Sequence, residues 1–130
     1  MLLEEPDFSS ARSFAGPHEL RRAFENVNRS IQAMFSQRGM DYAFGARIPS
    51  LLQEHGFEQI SIENEAPIER GGSPIAMMMS LSTRQLRDKY IATDLASEED
   101  IELYGEFADD PTCWAVYHGT IRGTGRKPRS

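Results

Sequence analysis

The sequence predicts an α/β fold, in which helices cover a small sheet. From Phe44 to Ile68 the apolar residues first recur at helical spacing and then, after Gly56, alternate with polar residues. A helix that passes into a strand across one glycine is typical of α/β layers. A second apolar run, from Cys113 to Ile121, is rich in β-favouring residues and predicts a strand covered on both faces.

Size and charge limit the function classes. The chain has 130 residues, 39% of them hydrophobic, which is enough for one modest core. We therefore expect a single domain over residues 1–130, or part of a larger one. Fourteen Lys and Arg face 20 Asp and Glu, and the net charge of −6 argues against nucleic acid as a partner. The basic run from Arg122 to Arg129 is interpreted as a solvated end.

The cysteine count and the N-terminus indicate the compartment. One cysteine, Cys113, allows neither an internal disulfide nor a zinc cluster, so we expect a reducing environment and no metal site. No apolar run reaches the length of about 18 residues that a membrane span needs. The start of the chain, with Glu4 and Glu5, lacks the basic and apolar regions of a signal peptide. These features predict a cytoplasmic protein without a membrane partner.

The first candidate site follows the first strand. Met1 to Leu3 predict the end of a buried strand, and Glu4, Glu5 and Asp7 follow as a polar turn. Ligands of α/β proteins usually bind beyond the carboxyl ends of strands. These carboxylates therefore either contact a ligand or form a solvated turn. Phe8 to Gly16 has no periodicity and predicts a loop.

A long amphipathic helix is predicted from Pro17 to Arg38, with Gly39 as its end. Its apolar residues recur at spacings of three, four and seven, and they are Leu20, Ala23, Phe24, Val27, Ile31, Met34 and Phe35. We interpret this stripe as core packing. The alternative is that its aromatic side chains line a substrate cavity or a partner surface.

The middle of the chain predicts a helix, a strand and a second helix. Pro49 suits a first helical turn and Gly56 a helix end, and Ile60 to Ile68 then alternate as one face of a strand. Ser73 is the predicted N-cap of the next helix. That helix carries Met77 to Met79, whose adaptable side chains suit either a core or a promiscuous pocket.

The last third predicts one helix and the interior strand. Ser97 and Asp100 have the spacing of a capping box, and the helix they begin is stopped by Pro111. His118 in the strand is either a structural residue or a proton acceptor. The glycines from Gly123 to Gly125 are followed by no helix, so they predict no nucleotide site.

Four stretches, taken in order, carry a family resemblance: Glu4–Phe8 (EEPDF), Phe44–Phe57 (FGARIPSLLQEHGF), Ala108–Pro111 (ADDP) and Gly123–Pro128 (GTGRKP). Their order and spacing, over nearly the whole chain, resemble the C-terminal half of a class I S-adenosylmethionine-dependent methyltransferase that acts on a small molecule. The resemblance implies a partial Rossmann-like sheet. The three predicted strands would be the family's fifth, sixth and seventh, lying side by side as 5-7-6 with the last strand antiparallel. The helix from Pro17 to Arg38 is similar to the insertion that roofs the family's substrate pocket.

The same resemblance implies a set of site residues. Glu5, Asp7 and Phe8 match the substrate-facing turn after the fifth strand, and Tyr42 and Phe44 match the rim of the pocket. Within the strand run, His118 is the candidate proton acceptor for a hydroxyl substrate.

The sequence also departs from the family. The glycine-rich loop and the acidic turns of the family's first four strands have no counterpart, so S-adenosylmethionine is implied as a cofactor of the family but not of this chain alone. Whether the chain acts as an enzyme is therefore left open. The alternative is a non-catalytic module, derived from this fold, that binds an apolar ligand or a partner through Phe24, Phe35, Phe44 and the methionines.

The first strand predicts a partner. Residues 1–5 would lack a neighbour on one side, and an unpaired apolar edge pairs readily with another chain. We expect a homodimer or a complementing second chain through this strand.

Overall fold

A computed structural model describes residues 2–39 and 47–128, and within these ranges it holds six strands and five α-helices. The strands form two antiparallel three-stranded sheets, each associated with its own hydrophobic cluster. The predicted α/β class is confirmed.

The first sheet places the last strand in the middle. It consists of β1 (Leu2–Asp7), β3 (Glu58–Glu65) and β6 (Gly119–Arg126), in the order β1-β6-β3. Strand β6 is antiparallel to both neighbours, so β1 and β3 run parallel to each other. On the two sides of β6, Leu3 and Ile62 both pair with Gly123.

Helix α2 (Ile48–Glu54) packs on β3 and β6 on one face of this sheet. Ile48 and Leu52 are buried against Ile121 of β6 and form a small cluster. Gly123 allows the close approach, since a Cβ there would lie 2.4 Å from Cγ2 of Ile48. The cluster is small, since the other apolar side chains packed against it, Leu3, Phe57 and Ile60, are only partly buried.

The opposite face of the first sheet is polar. Arg122 Nε lies 2.7 Å from Glu4 Oε2, and Arg122 Nη1 lies 3.5 Å from Glu63 Oε2. The hydrogen bond to Glu4 raises the pKa of the Arg122 guanidinium. All three side chains are well exposed, so these ion pairs contribute little to stability.

The second sheet belongs to the helical part of the molecule. It consists of β2 (Arg12–Ala15), β4 (Glu69–Arg70) and β5 (Trp114–Val116), in the order β2-β5-β4. The helices of this part are α1 (His18–Gln37), α3 (Pro74–Gln85), α4 (Arg87–Ile91) and α5 (Glu98–Asp109). Helix α5 packs against both α1 and α3, and the larger hydrophobic cluster lies among these elements.

An aromatic group forms the centre of the larger cluster. Phe24 of α1 stacks on Tyr104 of α5, with ring centroids 5.4 Å apart, and it also contacts Phe107 at 4.9 Å and the edge of Tyr117 at 5.4 Å. Phe24 is 1% exposed. The prediction that the α1 stripe is core is confirmed for this residue, and the alternative that Phe24 offers a binding surface is wrong.

Several predicted boundaries need correction. The predicted loop from Phe8 to Gly16 contains a short 3-10 helix (Phe8–Ser10) and strand β2. The predicted single strand from Cys113 to Ile121 is two strands in different sheets. Tyr117 is buried in the larger cluster, whereas Gly119 pairs with Asp7, so the chain changes sheets between them.

Two further corrections concern the middle of the chain. Strand β3 ends at Glu65, so Ala66 and Ile68 lie beyond it, and Ile68 is 49% exposed. Of the three methionines, Met79 is in the core, whereas Met77 and Met78 are exposed.

In the part of the chain that the structure describes, no helix has both the length and the apolar character that a membrane crossing requires.

Candidate functional site at the end of strand β1

The two sheets meet where β1 ends. At this point the chain turns through the 3-10 helix Phe8–Ser10, and the link between β5 and β6 passes at Tyr117 and His118. The rings of Phe8 and His118 lie 5.6 Å apart. Three of the predicted site residues, Asp7, Phe8 and His118, are therefore brought together.

Asp7 is a buried residue whose carboxylate is held by its own turn. Its Oδ1 accepts a hydrogen bond of 3.0 Å from the backbone N–H of Ser9, and its Oδ2 accepts one of 3.0 Å from Ser10 Oγ. This is the N-cap of the 3-10 helix. Asp7 thus shapes the turn that presents Phe8, and its oxygens are already engaged there.

Phe8 connects the end of β1 to helix α1. Its ring lies 5.4 Å from the ring of Phe35, and its carbonyl oxygen accepts a hydrogen bond of 3.1 Å from Gln32 Nε2. Both partners lie in the second half of α1. Phe8, Phe35 and His118 form an aromatic group, which we call the β1-end cluster.

His118 has a hydrogen bond that fixes its tautomer. Its Nδ1 lies 3.2 Å from the carbonyl oxygen of Gly119. Because a carbonyl oxygen only accepts, the neutral imidazole carries its proton on Nδ1, which leaves a lone pair on Nε2. This tautomer suits a proton acceptor, and the half-buried ring sits at the junction of the sheets.

The remaining predicted site residues are not part of this cluster. Glu5 points to the α2 side of the first sheet, where it lines a groove of about 630 Å³ with His55 and Lys127. Tyr42 and Phe44 lie outside the described residues.

The groove between β1 and α2 is lined mainly by apolar side chains. These are Leu3 of β1, Leu51 and Leu52 of α2, and Phe57, and they are joined by the polar residues named above. This groove cannot be predicted from local sequence patterns, because it forms only when β1 and α2, far apart in sequence, come together.

Two members of the site region differ in how far the sequence indicates them. Phe35 belongs to the predicted core stripe, with a ligand or partner surface as the alternative, whereas the sequence indicates no role for Gln32. Both lie at the border of the apolar stripe, next to the end of β1. No local signal distinguishes such a border residue from its neighbours.

The described residues do not by themselves fit a nucleoside cofactor. The glycines from Gly123 to Gly125 belong to β6, where Gly123 is paired on both sides, so they are strand rather than a loop. The end-of-strand carboxylate of Asp7 is occupied within its own turn. The described residues also hold no group of three or more His, Cys, Asp or Glu side chains arranged for a metal ion.

Comparison with known proteins adds no assignment. No protein-family model matches the chain, and the search of curated proteins found no significant match.

Proposed function

We propose that this chain is the C-terminal, substrate-side portion of a S-adenosylmethionine-dependent methyltransferase acting on a small molecule. The observation that carries the proposal is the sheet order β1-β6-β3, with the last strand inserted antiparallel between two strands that are parallel to each other. The family resemblance of the sequence implies this order for its fifth, seventh and sixth strands. The middle strand, Gly119–Arg126, shares residues 119–121 with the predicted seventh strand.

The β1-end cluster supplies the proposed substrate side. The rings of Phe8 and Phe35 offer apolar surface for a small substrate, and Nε2 of His118 accepts the proton that the acceptor hydroxyl releases. Substrate would bind beyond the carboxyl end of β1, as is usual in α/β proteins. Asp7 is a positioning residue in this proposal, because it holds the turn that carries Phe8.

The cofactor-binding part would come from another polypeptide or from additional sequence joined to this one. When bound there, S-adenosylmethionine supplies the methyl group. The chain of 130 residues by itself is therefore expected to show no heat of binding with S-adenosylmethionine or S-adenosylhomocysteine in calorimetric titration.

The decisive experiment compares this chain with a longer product. The coding sequence upstream of Met1 is determined, and any in-frame extension is expressed with the chain and titrated with the same two ligands. A glycine-rich strand and helix in the extension, with micromolar cofactor binding, would support the proposal. His118→Gln in that product should then lower kcat at unchanged cofactor affinity. Absence of cofactor binding by the extended product would overturn the proposal.

A second candidate is a non-catalytic assembly module derived from the same fold. The apolar groove beside β1 favours it, because it gives the chain a surface for a partner that needs no chemistry. A start signal directly before Met1 with no coding sequence ahead, together with no cofactor binding, would favour this module over the methyltransferase.

A further inference from the structure

Strand β1 has one hydrogen-bonded neighbour among the residues that the structure describes, namely β6. Its outer edge therefore presents backbone groups that can pair with another strand, except that Pro6 has no N–H to donate. Leu2, near the start of this edge, is 60% exposed. The apolar groove lies on the same side of the molecule, because Leu3 of β1 forms part of its lining.

The groove exists because helix α2 is too narrow to cover all three strands of the sheet. Helix α2 packs on β3 and β6. Strands are spaced by about 4.8 Å and a helix is about 10 Å wide, so one helix covers roughly two strands. Helix α2 therefore leaves the third strand, β1, uncovered. Leu3 and Glu5, which face the α2 side of β1, line the groove. The free edge and the groove together form one surface, which we call the β1 docking surface.

We propose that the β1 docking surface receives an extended segment of a different polypeptide, whose backbone pairs with β1 and whose apolar side chains enter the groove. The segment carries neutral or basic residues at its other positions. This inference rests on the proposed function in one respect, since it assigns the attachment point of the part that would bind the cofactor.

Charge disfavours a second copy as the occupant, most clearly at Glu5. In a two-fold symmetric antiparallel pair of β1 strands, the central residue faces its own copy. In the two registers that pair most of β1, that residue is Glu4 or Glu5. Like charges directly opposite each other destabilise a strand pair, and a net charge of −6 on each copy adds repulsion. A strand with lysine or arginine opposite Glu5 turns this carboxylate into an attractive partner, whereas Glu4 is already paired with Arg122.

The test uses two synthetic peptides and the full chain. One peptide alternates lysine with valine, and the other alternates glutamate with valine. We expect the lysine peptide to bind at least about tenfold more tightly in calorimetric titration at physiological salt. Binding should slow amide hydrogen exchange in β1 and leave β3, at the other edge of the sheet, unchanged. A peptide of the same lysine and valine content in blocks controls for unspecific attraction to an acidic protein.

Variants locate the surface. Leu51→Asp in the groove should abolish binding, whereas Leu81→Asp, on an exposed position of α3, should leave it unchanged. Glu5→Lys should reverse the preference between the two peptides. Glu5 is only half-buried, so this variant should fold. It therefore provides a second test if Leu51→Asp fails to fold. The inference is overturned if β1 is not protected by either peptide, or if the chain alone sediments as a dimer with β1 already protected. Neither result depends on cofactor binding, so either can contradict this inference without contradicting the proposed function.

Discussion

The rings of Phe8 and Phe35 lie with their centroids 5.4 Å apart, and this contact joins the first sheet to helix α1. The two hydrophobic clusters of the molecule are otherwise distinct: the small one lies between α2 and the first sheet, and the large one lies among the other helices. Both phenylalanines pack against the large cluster. Phe8 therefore anchors the end of β1 in a core that belongs to the other part of the molecule.

Phe8→Ala should loosen this connection. Removing a half-buried phenylalanine is expected to lower the free energy of unfolding by about 2–3 kcal/mol, less than the loss for a fully buried ring. The first sheet should lose more hydrogen-exchange protection than α5, because its own cluster is small. Urea unfolding and amide exchange measure the two effects. Phe14→Ala is the matched control, since that ring is 38% exposed. Equal loss of protection in β6 and α5 would contradict this role of Phe8.

Gly123→Ala should push α2 away from the first sheet. The added Cβ would lie 2.4 Å from Cγ2 of Ile48 and 3.1 Å from Cδ1 of Ile62. We expect a loss of about 1–3 kcal/mol in the free energy of unfolding, measured with urea. Combining it with Ile48→Ala should cost less than the sum of the two single changes, because the clash is then removed.

Gly105→Ala is the control for the substitution itself. The nearest side-chain atom to a Cβ at Gly105 of α5 is Arg84 Nη2 at 3.5 Å, an ordinary contact. Alanine in the middle of a helix should raise the free energy of unfolding by roughly 0.5–1 kcal/mol. A gain at Gly123 similar to that at Gly105 would show that α2 has room to move.

Local signals in the sequence predicted both ends of α1 and the starts of α3 and α5, but not the break between α3 and α4. Helix α1 runs from His18 to Gln37, within one residue of the predicted bounds Pro17 and Arg38, because its stripe is long and regular. The predicted N-caps Ser73 and Ser97 both accept hydrogen bonds from the first turn of their helices. These features depend on neighbours three or four residues away, and such neighbours are visible in the sequence.

The features that the sequence did not predict depend on contacts between residues far apart in the chain. The break at Tyr117 and His118 cannot be seen locally, because it arises when one side of the run joins the helical core and the other pairs with β1. In the same way, Asp7 looks free to meet a ligand in the sequence, whereas the serines of its own turn occupy it. Of the candidate site, the sequence therefore predicted Phe8 and His118 as members and offered Phe35 as an alternative binding residue, but it did not predict that Phe35 lies against Phe8.

Ser97→Ala should weaken the start of α5. The Ser97 hydroxyl accepts a hydrogen bond of 3.1 Å from the N–H of Asp100, and the Asp100 carboxylate accepts one of 3.0 Å from the N–H of Ser97. Losing this cap is expected to cost about 1 kcal/mol of unfolding free energy, measured by thermal unfolding. Ser97→Asn is the control, because asparagine caps equally well. If the asparagine and alanine variants lose the same stability, the capping explanation is wrong.

Tyr117→Phe should stabilise the protein and change how its free energy of unfolding depends on pH above pH 10. The Tyr117 hydroxyl is buried and has no hydrogen-bond partner among the described residues, so replacing it with hydrogen should raise the free energy of unfolding by about 1 kcal/mol. Burial raises the pKa of the Tyr117 phenol, with smaller contributions from Cys113 and Asp109. Burial likewise raises the pKa of Tyr104, helped by the nearby Tyr117 and Tyr90.

Because the pKa values of these tyrosines are raised in the folded protein, the protein should lose stability at alkaline pH. The folded protein binds the phenol protons more tightly than the unfolded chain, in which tyrosine has a pKa of about 10. This stability is fully present below about pH 10 and is lost as the pH rises further. Urea unfolding at neutral and alkaline pH should show a shallower loss of stability above pH 10 in Tyr117→Phe than in the unchanged chain. Tyrosinate absorbance should show the buried phenols of Tyr90, Tyr104 and Tyr117 ionising together with unfolding. Ionisation of these phenols in the still-folded protein would mean that solvent reaches this part of the core.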